Sequence, residues 1–119
     1  MLEFGLTVSP RCGVVIDSWH WHHAGSDPST IRNMTEERIL DLHIADSPAA
    51  PPEEIRDWER LLAGEGIVDF HSFLELPQEK NFREPLTVEI FGRGLSDTEP
   101  GVAAGLVFRG STAMLEKIG

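Results

Sequence analysis

Three residues of this chain combine the right side chains for cation binding and proton transfer: Asp17, His43 and Glu89. Each stands near the C-terminal end of a short apolar run, in residues 14–16, 39–44 and 86–90. Two carboxylates and one imidazole form a mixed oxygen and nitrogen donor set. Such a set suits a divalent cation, with Mn²⁺ or Co²⁺ favoured and Mg²⁺ or Zn²⁺ possible. Taken singly, each is also the kind of strand-end residue that caps a turn or a helix. A parallel sheet with helices on its faces would unite them, because the loops at its C-terminal edge bring ligands from neighbouring strands together.

The pattern along the chain predicts such a sheet. Val14, Val15 and Ile16 are a continuous β-branched run, as in a strand covered on both faces. Ile39, Leu40, Leu42 and Ile44 form a second strand holding His43, and residues 86–90 a third holding Glu89. The alternation of Leu2, Phe4, Leu6 and Val8 predicts a further half-buried strand at the start. Residues 19–28 read as a loop rich in aromatic and imidazole side chains, followed by a short helical piece over 29–34. The prolines of residues 47–52 enforce an irregular, extended segment. Ile55, Trp58, Leu61 and Leu62 fall at helical spacing, which predicts a helix over 53–62. Gly64 and Gly66 break it in a tight turn around Glu65. Asp69 caps the next helix, in which Phe70, Phe73 and Leu74 recur, and Pro77 ends or bends that helix. A glycine-containing loop over 92–100 leads to a last helix over 101–117. The order of strands alternating with helices predicts an α/β fold with a parallel sheet.

Composition narrows the function classes. The 119 residues carry 20 acidic against 10 basic side chains, a net charge of −10, with no basic cluster. That balance repels phosphate backbones and anionic lipid, so neither nucleic acid nor a membrane surface is expected as a partner. The single cysteine, Cys12, has no partner for an internal disulfide, and no Cys/His pair at zinc-binding spacing occurs. No apolar run approaches the roughly 20 residues of a membrane helix, and residues 1–8 lack the basic start and cleavage site of a secretory signal. A cytoplasmic location is the expectation.

Four stretches occur in a telling order: Asp17-Ser18-Trp19-His20, Leu42-His43-Ile44-Ala45-Asp46, Gly64-Glu65-Gly66-Ile67-Val68-Asp69 and Val88-Glu89-Ile90-Phe91. In that order they resemble the C-terminal part of the sugar phosphate isomerase/epimerase family, the xylose-isomerase-like TIM barrels. The resemblance runs from Gly13 to the last helix, and residues 1–119 are identified with the C-terminal portion of such a barrel. It implies a partial (β/α)8 fold of three to four parallel strands. It also implies a single divalent ion at the barrel mouth, held by Asp17, His43 and Glu89 together with a further Glu from an upstream strand. Nothing in this chain matches that Glu, and Glu3 stands too close to the first matching strand to replace it.

The implied chemistry is proton removal next to a carbonyl on a small sugar or cyclitol. The cation stabilises an enediolate and Glu89 serves as both ligand and acid/base group. Epimerase, isomerase and dehydratase activities all fall within the family. The resemblance places His20 against a substrate hydroxyl, the alternative being a loop imidazole satisfied by backbone. Trp19 and Trp21 either wall the sugar pocket or belong to the core, and Arg93 either contacts an anionic substrate group or is solvated. His22, His23 and His71 read as surface residues. Since a whole barrel takes about 250 residues and eight strands, this chain is expected to depend on a complementary barrel half or to self-associate as a homo-oligomer. The alternative from another class is a non-catalytic partial-barrel module.

Overall fold

Where the β-branched and leucine-rich runs fall, strands form and pair in parallel. In a computed structural model that describes residues 2–92 and 94–119, β1 (Val14–Asp17), β2 (Ile39–Ile44) and β3 (Leu86–Val88) make one sheet in the order β1-β2-β3. The register aligns Ile16 with Leu42 and Leu86, and Asp17 with His43 and Thr87. Glu89 continues the ladder through its N–H, which donates to the Ile44 carbonyl at 3.3 Å. The helices of the chain are α1 (Leu2–Val8), α2 (Ser18–His23), α3 (Ser29–Arg32), α4 (Phe70–Glu79) and α5 (Pro100–Ile118). No helix among the described residues is long and apolar enough to cross a membrane.

The two faces of the sheet differ in chemistry. Ile16, Leu42 and Ile44 point to one side and are buried against Trp21, Ile31, Phe73, Leu74 and Met114 from the helices. The opposite face carries Val15, Asp41, His43, Thr87 and Glu89. Val15 is 51% exposed there, which corrects the expectation of a strand covered on both faces. The helix-packed face holds the main core, and the polar face is the one that bears the candidate ligands.

Three segments depart from the sequence-based expectation. Residues 2–8 form helix α1 and not a fourth strand. Leu2 and Leu6, like Phe4 and Val8, are four apart as well as at even spacing, so seven residues satisfy both periods. Gly5 lets this helix lie close to the returning chain, with a Cβ there only 3.1 Å from Cys12 Cβ. Residues 18–23, with 19–23 expected as loop, form helix α2 because Asp17 caps it: its Oδ1 accepts from the His20 N–H at 2.9 Å. Residues 53–62, expected as a helix, form two separate 3-10 turns, Pro52–Glu54 and Asp57–Glu59. Trp58 is 64% exposed, so the apolar face does not exist. Leu61 instead exchanges two backbone hydrogen bonds of 2.9 Å with Asp46.

Asp46 fixes the turn that follows. Its side chain is fully buried and accepts from the backbone N–H groups of Ser47, Gly64, Gly66 and Val68 at 2.8–2.9 Å. Gly66 is required because a Cβ would sit 2.5 Å from the Asp46 Oδ1. Helix α4 then starts at Asp69, whose carboxylate caps the Ser72 N–H, and Pro77 lies inside it without ending it. Met114 of α5 packs on Gly64.

Asp46→Ala would strand four N–H groups around a buried hole. The expected loss is on the order of 3–5 kcal/mol, read from the urea unfolding midpoint. Asp69→Ala, which removes only a cap at an exposed position, should cost about 1 kcal/mol in the same measurement. Equal losses would refute the assignment of the turn to Asp46.

Candidate metal centre

The parallel register brings the three candidate ligands to one edge of the sheet. Asp17 stands at the end of β1, His43 is its neighbour on β2, and Glu89 follows β3 by one residue on the same face as Thr87. One ligand atom from each lies within 4.8 Å of the others. His43 Nδ1 is 3.2 Å from Glu89 Oε2. On the other side of the ring, His43 Nε2 is 3.3 Å from Asp41 Oδ2, which also accepts from the Thr87 hydroxyl at 3.0 Å. With the Nε2–H donated to Asp41, the Nδ1 lone pair faces Asp17 and Glu89. A carboxylate on the far nitrogen orients imidazole ligands in this way in many metal sites. Two oxygens and one nitrogen at this spacing fit a divalent ion.

At the centre of the cluster is a residue that the sequence pattern had assigned to a helix. Arg60 is 2% exposed. Its Nη1 donates to Asp17 Oδ2 at 2.8 Å and lies 3.4 Å from Glu89 Oε2. Its Nε and Nη2 both reach Asp57 Oδ1, at 2.8 and 2.7 Å, and Nη2 is 3.3 Å from His20 Nε2. The guanidinium carbon also lies over the rings of Trp19 and Phe91, 5.0 and 5.2 Å from their centroids. Burial would lower the Arg60 pKa, but the hydrogen bond to Asp57 and the charge of Asp17 outweigh it and hold the group above its ordinary value. It is a permanent cation. The sequence did hold one signal for it: two carboxylates converging on one edge call for a counter-charge, and Arg60 stands just ahead of the Gly64–Gly66 turn.

Of the remaining site candidates, His20 is exposed at the mouth beside Arg60. Trp19 is buried between Arg60 and His23, and its Nε1 has no hydrogen-bond partner among the described residues. Arg93 lies outside the described residues. Trp21 belongs to the core, and His71 is exposed. His23, expected at the surface, is half-buried: it stacks on Trp19 with centroids 3.9 Å apart, and its Nε2 meets the buried Ser47 hydroxyl at 2.9 Å. An open cleft of about 290 Å³ runs along the free edge of β1 as far as Asp17 and His20.

Comparison with known proteins places this architecture. The family model described as xylose isomerase-like TIM barrel matches residues 2–111. The 3-dehydroshikimate dehydratase of Pseudomonas putida is 32% identical over 102 residues, which is 82% of this chain and 16% of that protein. The inosose isomerase of Bacillus subtilis is 30% identical over 79 residues, 66% of this chain and 28% of that protein. The chain therefore spans less than a third of either relative. Among solved structures, a xylose isomerase domain protein from Alicyclobacillus acidocaldarius superposes with a TM-score of 0.76 at 28% identity, covering 99% of this chain and 42% of that one. The structure of IOLI protein with a binding zinc atom superposes with a TM-score of 0.79 at 24% identity, covering 90% and 38%.

Burial lowers the His23 pKa below its ordinary 6.5, and the neighbouring His22, His20 and Arg60 push it the same way. The folded protein thus holds His23 neutral where the unfolded chain protonates it. The stability this gives is present above pH 6.5 and is lost as the pH falls through the folded value. Urea midpoints measured at about pH 7.5 and about pH 5 should accordingly differ more in the native protein than in His23→Gln. The same difference in both would overturn the assignment.

Proposed function

Since this chain belongs to the xylose isomerase-like TIM barrel family, we propose that Asp17, His43 and Glu89 hold a divalent cation for proton transfer next to the carbonyl of a sugar or cyclitol. The observation that carries this reading is the convergence of the three donors, one from each strand, within 4.8 Å. A cation bound there polarises a carbonyl and an adjacent hydroxyl. Glu89 doubles as acid/base group at the substrate carbon, where its Oε2 shares the space of the His43 Nδ1. His20 binds a substrate hydroxyl at the mouth and Trp19 walls the pocket behind it. Arg93 takes an anionic substrate group. Mn²⁺ or Co²⁺ suits the donor set best, with Zn²⁺ and Mg²⁺ as alternatives. The relatives named for inosose isomerisation and dehydroshikimate dehydration support a cyclitol-like ketone as the substrate class.

The proposal extends to how the site is completed. Three strands are fewer than half of the eight in a barrel, and the chain covers 38% and 42% of the two solved structures compared above. As the C-terminal portion of a barrel, residues 1–119 leave two sheet edges open. The edge at β1 borders the 290 Å³ cleft, and the edge at β3 borders an apolar groove of about 470 Å³ against α5, beside the 71% exposed Phe108. A complementary barrel half, or a second copy of the chain, covers them and supplies the fourth ligand. The reducing cytoplasm suits the single free Cys12.

Calorimetric titration with Mn²⁺ or Co²⁺ tests the site. Binding should be measurable but weak, because three protein ligands leave more positions to water than four do, and His43→Ala should abolish it. Equal affinity in His43→Ala would refute the metal assignment. Light scattering coupled to size exclusion tests the open edges: the isolated chain should run as a dimer or larger, and a sharp monomer peak at 13.2 kDa with cooperative unfolding would refute the association.

A further inference from the structure

We propose that Arg60 is an internal cation that competes with the metal for the ligands Asp17 and Glu89, so that loading the site requires Arg60 Nη1 to leave them. The inference rests on the metal reading above. It starts from geometry: Nη1 is 2.8 Å from Asp17 Oδ2 and 3.4 Å from Glu89 Oε2, so one N–H group bridges carboxylates that belong to the candidate donor set.

Asp17 has little to spare. Its Oδ1 accepts from the His20 N–H as cap of α2, and its Oδ2 is the oxygen that Arg60 holds. A cation held by Asp17 and Glu89 would draw on the carboxylates that Nη1 bridges, and would sit beside its positive charge. If Nη1 stayed, a positive guanidinium would remain beside a divalent ion at a partly buried site, where like charges repel. Deprotonation offers no escape, because a guanidinium stays charged at any pH at which the protein is folded.

The side chain has an alternative anchor. Asp57 Oδ1 receives both Nε and Nη2, and Asp57 is half exposed, so it needs no replacement partner when Nη1 moves. The Trp19 and Phe91 ring centroids lie 5.0 and 5.2 Å from the guanidinium carbon. Arg60 can therefore turn as one rigid plane about Asp57 Oδ1, withdrawing Nη1 from Asp17 and Glu89 without losing its carboxylate partner. In the metal-free protein the same residue offsets the repulsion between Asp17 and Glu89 and holds them at ligand spacing.

The test uses Co²⁺ as the probe and calorimetry as the readout, with circular dichroism to check each fold. Arg60→Met keeps the stem beside the two rings and removes the charge. It should bind Co²⁺ more tightly than the native protein by on the order of tenfold or more. Arg60→Lys, which keeps a charge, should fall between the two. Equal or weaker Co²⁺ binding in folded Arg60→Met, with binding in both proteins lost on adding His43→Ala, would overturn the competition and leave the metal site standing. No Co²⁺ binding in either protein, or binding that survives His43→Ala, would overturn the metal site and the competition with it. Should Arg60→Met not fold, the native protein gives the answer: phenylglyoxal modification of Arg60, mapped by mass spectrometry, should accelerate over the Co²⁺ range in which calorimetry detects binding. An unchanged or slower reaction would overturn the inference.

Discussion

A guanidinium withdrawn from water is the constraint from which the rest of this structure follows. Taking Arg60 out of solvent costs several kcal/mol unless its donors are met and its charge is balanced. Asp17, Asp57 and Glu89 do both. Each comes from a different part of the chain: the end of β1, the 3-10 turn Asp57–Glu59 and the residue after β3. The ion network therefore ties the two edge strands of the sheet to the loop between β2 and α4. Without a cation at this position, the carboxylates of Asp17 and Glu89 at the sheet edge and of Asp57 in the turn beside it would repel each other, so the candidate metal site and the buried arginine are solutions to the same electrostatic problem.

Arg60 reaches that position because the backbone beside it is fixed by a second buried charge. Asp46 gathers the turn over residues 64–68 through its carboxylate and pairs its own backbone with Leu61. Leu61 adjoins Arg60, so the bridge that anchors one orients the other. The two carboxylates at the ends of β1 and β2 thus divide the work. Asp17 faces the ligand side and binds a side chain, whereas Asp46 faces the loop and binds main chain. A carboxylate satisfied by several backbone N–H groups is a structural element in its own right.

How much of this was legible in the sequence depends on whether the signal was local. The runs at 14–16, 39–44 and 86–90 are strands because their β-branched and leucine content needs no partner to be recognised, and the cap at Asp69 is set by residues three apart. The convergence of Asp17, His43 and Glu89 followed from topology alone, since parallel strands put their C-terminal ends on one edge. The segment over 53–62 was different. Its helical spacing of Ile55, Trp58 and Leu61 is real, but contacts more than a dozen residues away decide its conformation: Leu61 with Asp46 and Arg60 with Asp17. Periodicity cannot register a competing long-range pairing. For α1 the window was too short, because seven residues fit a period of two and a spacing of four at once.

The polarity of the sheet explains why a unit of three strands carries a legible site at all. In a closed barrel the inner face of each strand points to the axis and the outer face to the helices. Here the helix-packed face, with Ile16, Leu42 and Ile44, is buried within this chain alone, since the helices that cover it are its own. The inner face is not, and it is there that Val15 stands open to solvent while Asp41, His43, Thr87 and Glu89 find polar partners among themselves. The core of each β/α unit is therefore complete before the barrel is, and the inner layer can be held by hydrogen bonds and charge instead of by apolar contact with strands across the axis. Ligand geometry on this face is set by the register of β1, β2 and β3 and by Arg60. Strand partners from the rest of a barrel would meet an arrangement that these residues already define.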